Sequence, residues 1–550
     1  MKIRFSICLV AGSLFAQQNP AKPDDLSGIE GQVTNAATGA PVKKSDVVLQ
    51  RADLSTITAT QQINYSTTTD ASGKFAMKDI EPGQYHLSAN GNGFVQAMYG
   101  ARGPNRPGTT LSLDAGQYLK EVNLKLTPHG VVTGRIVDED GDPVVRISVQ
   151  AQSYSRIDGR KQLVPSGSAN TNDLGEYRIF GLAPGRYYVS ATYNQEVNRP
   201  TLRARSAKAP PVETYAPTYY PSGVDIATAA AVDVIPGAEL RGINIALAKI
   251  HTVRLRGHVN YQGGADKQGV TLMLTRRDET GPYNMFRHDT DEQGNFEFRG
   301  VRPGAYTLVA QSFDRTHGAS ARQAIDVGNN DMDGIVLTLN PGVELKGQVK
   351  TEGPEGITLA SIYVLLHMHG LGAASGDRVH DDGTFTLTQV APEQYDVRVM
   401  NIPDGYYVKS IRGGGQEVRD SGLDMTNGAP GMLTVTIAPG AGQIEGVVQN
   451  DKQSPAAGAL VALIPVDARR REMRDAYYTA TTDQYGKFTL KNIDPGDYKL
   501  YAWDDVEPGA YMDTDFVKPF ESQGVTMSIH ENGRESAQLK LIPAEGAMLP

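Results

Sequence analysis

Cysteine is almost absent from this chain, which has one among its 550 residues. That residue, Cys8, lies in an apolar run over residues 5–16 that follows Lys2 and Arg4. A basic start, a short apolar run and polar sequence after it predict a secretory signal peptide over residues 1–16. The alternative, a membrane anchor, needs about 20 apolar residues, more than this run supplies. Without the signal the chain has no cysteine, which excludes disulfides and thiol catalysis.

Long hydrophobic runs, helical periodicity and excess positive charge are also missing. No stretch after the signal is apolar enough to span a membrane, and none shows sustained helical spacing of apolar residues between caps. The chain has 53 Lys and Arg residues and 62 Asp and Glu residues, which gives a formal net charge of −9. Such an acidic chain disfavours nucleic acid as a partner. It suits a soluble monomer that is secreted, periplasmic or attached to a cell surface.

The common catalytic motifs do not occur either. The sequence has no G-x-S-x-G nucleophile elbow, no P-loop and no G-x-G-x-x-G dinucleotide fingerprint. These motifs supply the activated nucleophile or the phosphate cradle of large enzyme classes, so their absence excludes those classes. We therefore expect a non-enzymatic protein with no catalytic residue and no cofactor.

One stretch, residues 482–498, dominates what is present and reads TDQYGKFTLKNIDPGDY. Asp483 to Gly486 has the composition of a type I turn, and Pro495 with Gly496 suits the centre of a type II turn. Apolar residues between the turns alternate with polar ones, as in a half-buried strand. The unit therefore predicts turn, strand, turn and strand. Related copies occupy residues 70–85, 173–187, 291–306 and 381–395.

The copies recur about every 100 residues, a spacing typical of separate β-sandwich domains. In the fourth copy Glu393 replaces the second turn glycine, which predicts a different turn there. Short links containing Pro or Gly join the units, so we predict a rod with modest contacts between neighbours. The predicted segments after the signal are a flexible linker over 17–27, five all-β sandwiches over 28–127, 128–249, 250–340, 341–441 and 442–543, and a tail over 544–550.

Several motifs together carry a family resemblance. An opening G-x-V strand, a G-x-P-V turn at residues 39–42 and 141–144, and the D-x-x-G-x-F and P-G-x-Y motifs resemble the carboxypeptidase regulatory-like domain. That resemblance implies tandem transthyretin-like or immunoglobulin-like β-sandwiches, grouped with carbohydrate-binding-like folds and Cna B-type surface repeats. It covers nearly all of the chain after the signal. The family's domain is usually an accessory, so the resemblance implies no catalytic residue, and no histidine begins the H-x-x-E pair of a metallocarboxypeptidase.

Tandem proteins of this kind are also similar to secreted proteins of acidobacteria. The segments that carry this second resemblance are TYYP at residues 218–221 and AWDD at residues 502–505. Both segments contain aromatic residues in predicted loops or at strand ends.

Aromatic and acidic residues at these two places are the candidate carbohydrate-binding residues. Trp503, the only tryptophan, follows the inward run of its strand by one residue, so alternation places it on the outer face or in the next loop. Carboxylates beside an aromatic ring accept hydrogen bonds from sugar hydroxyls. The alternative is that these rings cover a sandwich end or an interdomain seam. The candidates are Trp503, Tyr511, Asp504, Asp505, Tyr219 and Tyr220.

Three histidines are weak candidate ligands for a transition metal. His367 and His369 lie two residues apart on a predicted strand and therefore share a face, and His380 follows shortly after. Imidazoles on one face suit zinc or copper. The alternative, the polar side of a sandwich strand, is the one we favour, so no metal is expected.

Three classes of non-catalytic function remain. Carbohydrate or extracellular-polymer binding is favoured by the fold resemblance and by the aromatic and acidic loops. The alternatives are a structural or adhesive spacer and a scaffold that binds a cell-surface or extracellular protein. A metal-dependent hydrolase using His367, His369 and His380 is the remote enzymatic alternative.

Overall fold

The computed structural model describes residues 25–52, 64–157, 159–193, 214–261, 269–277, 285–312, 319–353, 357–368 and 372–543. The predicted signal peptide, most of the predicted linker and the predicted tail lie outside these residues. The described chain is all-β in class, as predicted, with 58% of its residues in strands and 6% in helix. Among the described residues, no helix combines the length and apolar character needed to cross a membrane.

The first two domains are sandwiches of two main sheets. Domain one consists of β1 (Ser27–Asn35), β2 (Asp46–Arg51), β3 (Asn64–Thr68), β4 (Lys74–Ile80), β5 (Gly83–Asn90), β6 (Phe94–Val95), β7 (Ala97–Met98), β8 (Leu111–Leu113), β9 (Tyr118–Leu119) and β10 (Leu124–Pro128). Domain two consists of β11 (Gly130–Val137), β12 (Ser148–Ile157), β13 (Arg160–Asn170), β14 (Glu176–Leu182), β15 (Gly185–Thr192), β16 (Thr214–Tyr215), β17 (Thr218–Tyr219), β18 (Ala231–Val234), β19 (Glu239–Leu240), β20 (Ile245–Ala246) and β21 (Lys249–Ile250), with a 3₁₀ turn at Ile226–Thr228.

Domains four and five repeat this plan with fewer strands, whereas the strands of domain three are joined through β27 and β28 into one seven-stranded sheet. Domain three consists of β22 (Val253–Tyr261), β23 (Val270–Arg276), β24 (Met285–Asp289), β25 (Asn295–Val301), β26 (Gly304–Ser312), β27 (Ala319–Val327) and β28 (Met332–Pro341). Domain four consists of β29 (Val343–Thr351), β30 (Tyr363–Met368), β31 (Gly372–Arg378), β32 (Thr384–Val390), β33 (Gln394–Met400), β34 (Tyr406–Gly413), β35 (Gln416–Glu417), β36 (Leu423–Asp424) and β37 (Leu433–Pro439), with a 3₁₀ turn at Leu359–Ser361.

Domain five has one α-helix, and it is short. Its strands are β38 (Gly442–Gln449), β39 (Leu460–Pro465), β40 (Tyr478–Thr481), β41 (Lys487–Ile493), β42 (Gly496–Trp503), β43 (Val525–Ile529) and β44 (Arg534–Lys540). The helix α1 (Thr514–Val517) lies between β42 and β43, and 3₁₀ turns occur at Arg470–Glu472, Arg474–Ala476, Ala510–Met512 and Lys518–Gln523.

All five domains share one topology around the opening strand. In domain five, β38 pairs antiparallel with β41 and parallel with the closing strand β44, while β42 pairs with β39 in the other sheet. Apolar side chains that alternate along these strands meet between the sheets, so each domain has its own buried cluster. Burial of each large apolar side chain contributes roughly 1.5–3 kcal/mol, and these clusters are the main source of stability.

The first turn of the repeat forms as predicted. Gly486 donates its N–H to the Asp483 carbonyl at 3.0 Å, and the Asp483 carboxylate accepts from the backbone of Tyr485 and Lys487. Gly486 has a φ of 74°, and a Cβ there would lie 2.8 Å from the Val448 carbonyl oxygen. Glycine is therefore required on two counts, positive φ and close approach. In domain two the turn begins at Asn172 and in domain four at His380, one residue before the predicted starts.

The predicted type II turn at Pro495–Gly496 is wrong in its geometry. Gly496 has a φ of 156°, far from the roughly +80° that such a turn needs. The left-handed residue is instead Asn492, with a φ of 55°, where a β-bulge shifts the pairing between β38 and β41. The same bulge occurs in every domain, with the left-handed residue at Asp79, Gly181, Gly300, Gln389 and Asn492.

The tyrosine of the P-G-x-Y motif stabilises the second turn through a hydrogen bond. The Tyr498 hydroxyl donates to the carbonyl of Asp494, four residues earlier, at 2.8 Å. The equivalent bond recurs in the other four domains, from Tyr85, Tyr187, Tyr306 and Tyr395, at 2.6–3.0 Å. Because each ring is buried, this bond gives its polar end a partner inside the sandwich. It forms in domain four as well, although Glu393 replaces the glycine there.

The arrangement of the domains differs from the predicted rod. Domain five folds back onto domain one, where Ser112 and Gln484 exchange two hydrogen bonds of 3.0 and 2.7 Å and Thr110 bridges to Asp483. Domain five also contacts domain two through Arg156 and domain four through Arg419. Short links allow such a return because they leave the orientations of successive domains free, and composition alone does not determine those orientations.

Candidate functional site

The outer face of domain five is covered rather than exposed. Tyr501 and Trp503 point outward from β42, as alternation predicted, but residues 504–523 fold over them. Phe516 and Phe520 pack against Trp503 with ring centroids 5.9 and 6.0 Å apart, and Tyr501 stacks on it at 5.1 Å. Trp503 is consequently 0% exposed. The prediction of an exposed tryptophan was wrong because the sequence pattern gave the correct face without revealing the segment that covers it.

The acidic residues after Trp503 bind arginines of other domains. Asp504 pairs with Arg102 at 2.6 Å and Asp505 with Arg106 at 3.2 Å, both in domain one. One oxygen of each carboxylate is therefore engaged in a charged hydrogen bond or ion pair. A sugar hydroxyl would have to compete with these interdomain pairs, and the use of Asp504 and Asp505 by a sugar stays a prediction.

The same covering segment is held by domain two. Arg156 near the end of β12 pairs with Glu507 and, at 3.2 Å, with Asp513. Its guanidinium also lies over the Phe516 ring, 5.6 Å from the centroid. Because the Arg156 side chain is only 15% exposed, this contact is largely shielded from water.

The remaining aromatic candidates are half-buried packing residues. Tyr511 lies against Tyr477 with ring centroids 6.2 Å apart, and burial raises the pKa of its hydroxyl. In domain two, Tyr219 lies on β17, which pairs with β15, and Tyr220 packs against the domain core. The structure therefore places Trp503, Tyr511, Asp504 and Asp505 together in domain five and leaves Tyr219 and Tyr220 in a separate group.

The structure does not bring the candidate histidines together as a metal site among the residues it describes. His367 is half-buried on β30, and His369 lies outside the described residues. His380 begins the turn of domain four, with its Nδ1 3.2 Å from the Thr384 hydroxyl oxygen. Within the described ranges, no three His, Cys, Asp or Glu side chains are close enough to hold a metal ion.

A cleft that the sequence did not predict lies between domains four and five. Its volume is about 260 Å³. It lies between strands β33 and β34 of domain four and the β39–β40 connection of domain five. Domain four contributes Asp396, Arg398, Arg419 and Asp420, and domain five contributes Arg470, Arg474, Asp475 and Asp494. Three tyrosines and two asparagines also line the cleft, namely Tyr406, Tyr407, Tyr478, Asn401 and Asn492.

A buried ion pair network forms the floor of this cleft. The Asp494 carboxylate pairs with Arg419 of domain four and, at 3.4 Å, with Arg470 of its own domain. Burial raises the pKa of Asp494 despite the two guanidinium groups, which act in the opposite direction. Arg470 also receives support from Tyr498, whose ring lies 5.4 Å below the guanidinium. Each half of the network comes from a different domain, which explains why no linear motif revealed it.

Family models match three of the domains. Residues 28–127 and 131–248 match the carboxypeptidase regulatory-like domain. The first two domains are therefore similar to carboxypeptidase regulatory-like domains. The match to these regulatory-like domains is narrower than the motifs predicted, since residues 449–518 of domain five instead match a model described as polysaccharide lyase family 4, domain II. No curated protein sequence matches the chain.

Several solved structures are similar to parts of this chain. The Bacillus anthracis TIE protein is 11% identical, with 77% of this chain and 76% of that chain covered and a TM-score of 0.16. The minor pilin GBS52 of Streptococcus agalactiae is 15% identical over 41% of this chain and 96% of its own, with a TM-score of 0.22. BcpA, the major pilin subunit of Bacillus cereus, is 10% identical over 57% and 99%, with a TM-score of 0.14. The expected similarity to secreted acidobacterial proteins stays a prediction.

Proposed function

We propose that this protein is a non-catalytic structural protein of the cell exterior, in which domain five holds the other sandwiches in a compact scaffold. The observation that carries the proposal is the use of the aromatic and acidic loop of domain five. Trp503 lies beneath the covering segment, and the acids that follow it pair with Arg102, Arg106 and Arg156 of domains one and two. Residues that first suggested a ligand site thus support interdomain contacts instead.

A disulfide cross-link tests the compact arrangement. The side chains of Thr110 and Thr481 meet across domains one and five, with their hydroxyl oxygens 3.1 Å apart, and no cysteine follows Cys8 in the sequence. We expect the Thr110→Cys, Thr481→Cys double variant of the chain without residues 1–16 to form an intramolecular disulfide under mild oxidation. Its mobility on a non-reducing gel would shift, whereas each single variant would stay unchanged. A double variant that remains reduced, or forms only dimers, would contradict the compact scaffold.

Carbohydrate binding is the second candidate function, and two observations favour it. Domain five matches a model named for a domain of a polysaccharide lyase family. The same domain forms one wall of the polar cleft with domain four. Affinity electrophoresis of the full chain in gels that contain soluble plant and microbial polysaccharides measures this directly. Retardation in at least one gel is the expected result, and unchanged mobility in all of them would remove this candidate.

A further inference from the structure

We propose that the cleft between domains four and five binds an uncharged sugar residue of a polysaccharide, with Arg398 and Asp475 as the groups that contact its hydroxyls. This inference deepens the carbohydrate-binding candidate and rests on it. The cleft volume of about 260 Å³ is just below the usual range of small-molecule sites, roughly 300–1,000 Å³. One sugar residue, rather than a long segment of polymer, is the appropriate size of ligand.

The charge of the cleft indicates an uncharged ligand. Four arginines and four aspartates line it, with no lysine, histidine or glutamate, so the formal charges cancel. The carboxylates would repel an anionic ligand as much as the guanidinium groups attract it. For a cationic ligand the attraction and the repulsion would likewise cancel. A ring bearing several hydroxyls suits such a wall, because each hydroxyl both donates to a carboxylate and accepts from a guanidinium.

One charged pair is positioned to receive a hydroxyl. The Arg398 Nε lies 3.7 Å from the Asp475 Oδ2, which is beyond hydrogen-bond distance. The Asp475 side chain is 60% exposed, whereas that of Arg398 is 20% exposed. A sugar hydroxyl that bridges the two groups from the cleft side would accept from the guanidinium and donate to the carboxylate, adding two hydrogen bonds to a long ion pair. The ligand would therefore join a residue of domain four to a residue of domain five.

The rest of the cleft is already ordered around this pair. The floor is fixed by the Arg419–Asp494–Arg470 network, in which the Asp494 N–H also donates to the Tyr478 hydroxyl at 3.0 Å. Half-buried Met473 and Tyr406 supply apolar surface for the C–H face of a sugar ring. A wall held in place before binding loses little conformational entropy when the ligand enters.

Isothermal titration of the full chain tests the assignment. The probes are the neutral oligosaccharides cellotetraose, xylotetraose, mannotetraose and laminaritetraose, with tetragalacturonate as the charged comparison. We expect binding of at least one neutral probe and weakening of its Kd by about tenfold or more in Asp475→Asn and in Arg398→Gln, as for loss of one charged hydrogen bond. Arg186→Gln is the matched control, because Arg186 forms an exposed pair with Asp233 in domain two.

The outcomes distinguish an error in the cleft assignment from an error in the proposed carbohydrate binding. If the polysaccharide gels retard the wild type and both cleft variants equally, carbohydrate binding stands and the cleft assignment is wrong. If tetragalacturonate binds and the neutral probes do not, the inference of an uncharged ligand is wrong. If no gel retards the chain and no probe binds, both the candidate function and the site fail. Should Arg398→Gln unfold, as its far-UV circular dichroism would show, the exposed Asp475→Asn variant alone decides.

Discussion

At the scale of single residues, burial decides what the aromatic side chains do. Trp503 is surrounded by Tyr501, Phe516 and Phe520, and its Nε1 has no hydrogen-bond partner among the described residues. The indole therefore contributes through packing alone. An orphaned N–H costs free energy that the surrounding apolar contacts must offset.

Truncation of Trp503 should destabilise domain five strongly. We expect Trp503→Ala to lower its free energy of unfolding by about 3–5 kcal/mol, because a large cavity would remain. Trp503→Phe should cost less, since it keeps an aromatic ring and removes an unpartnered donor. Urea denaturation followed by circular dichroism measures both. In the wild type, tryptophan emission should be blue-shifted and resist iodide quenching, and ready quenching would show that the residue is exposed.

Burial of His86 at the contact between domains one and five should make the stability of domain one depend on pH. His86 lines a cavity of about 450 Å³ between them, together with Asp483 and Lys487. Burial lowers the pKa of His86 below its ordinary value of 6.5, so the folded state favours the neutral ring. The unfolded chain then binds more protons as pH falls through 6.5. The stability contributed by neutral His86 is present above that pH and is lost below it.

The corresponding measurement is the urea midpoint of domain one between pH 7.5 and 5. We expect the wild-type midpoint to fall with pH and His86→Gln to show a smaller decrease, because glutamine does not titrate. Equal decreases in the two proteins would show that other groups control the pH dependence.

At the scale of the structural elements, turn glycines have two separable roles. Gly39 and Gly73, both in domain one, have φ values of 71° and 72°. A Cβ at Gly73 would lie 2.6 Å from the Val33 carbonyl oxygen. A Cβ at Gly39 would have no atom within 4 Å. The pair therefore separates the cost of positive φ from the cost of a steric clash.

We expect Gly39→Ala to lower the stability of domain one by about 1–2 kcal/mol, the cost of a left-handed alanine. Gly73→Ala should cost more, roughly 2–4 kcal/mol, because the backbone must also move. Urea midpoints of the two variants, compared with the wild type, give the difference. Equal losses would mean that the turn relaxes freely around the new Cβ.

The sequence predicted the elements well wherever the cause is local. The strand after Gly486 and its turn follow from alternation and from the Asp–Gly turn signal, and both occur. The bulge at Asn492 was missed because a left-handed asparagine looks like any polar residue on a strand. The candidate acidic residues were identified by type, but their partners, Arg102 and Arg106, lie hundreds of residues away, and no local pattern encodes that contact.

At the scale of the whole molecule, domain five is the point where other domains meet. Arg156 reaches it from domain two, Arg102 and Arg106 from domain one, and Arg419 from domain four. Exposed ion pairs of this kind are individually weak, but the Arg156 and Arg419 pairs are largely buried. These two positions should therefore control how compact the particle is.

Arg156→Ala should loosen the contact of domain two with domain five at a cost of about 1–3 kcal/mol, since two carboxylates lose a shielded partner. Small-angle X-ray scattering should show a larger radius of gyration for this variant, and a further increase at high salt. The Arg186→Ala control removes a pair whose side chains are 67% and 64% exposed, and its scattering should match the wild type. Identical curves for both variants would show that Arg156 does not hold the domains together.

The return of domain five to domain one also has a mechanical consequence. A pulling force applied across these two domains would first act on the Ser112–Gln484 hydrogen bonds and the Arg102–Asp504 pair. Residues 128–441 would carry little tension until that interface and the Arg156 pairs of domain two separate, and would then extend by the combined length of three sandwiches. We expect a single-molecule stretching trace to show an increase in extension at low force before any sandwich unfolds. The chain would be short at rest, and once a load breaks the interdomain contact it would become several domains longer.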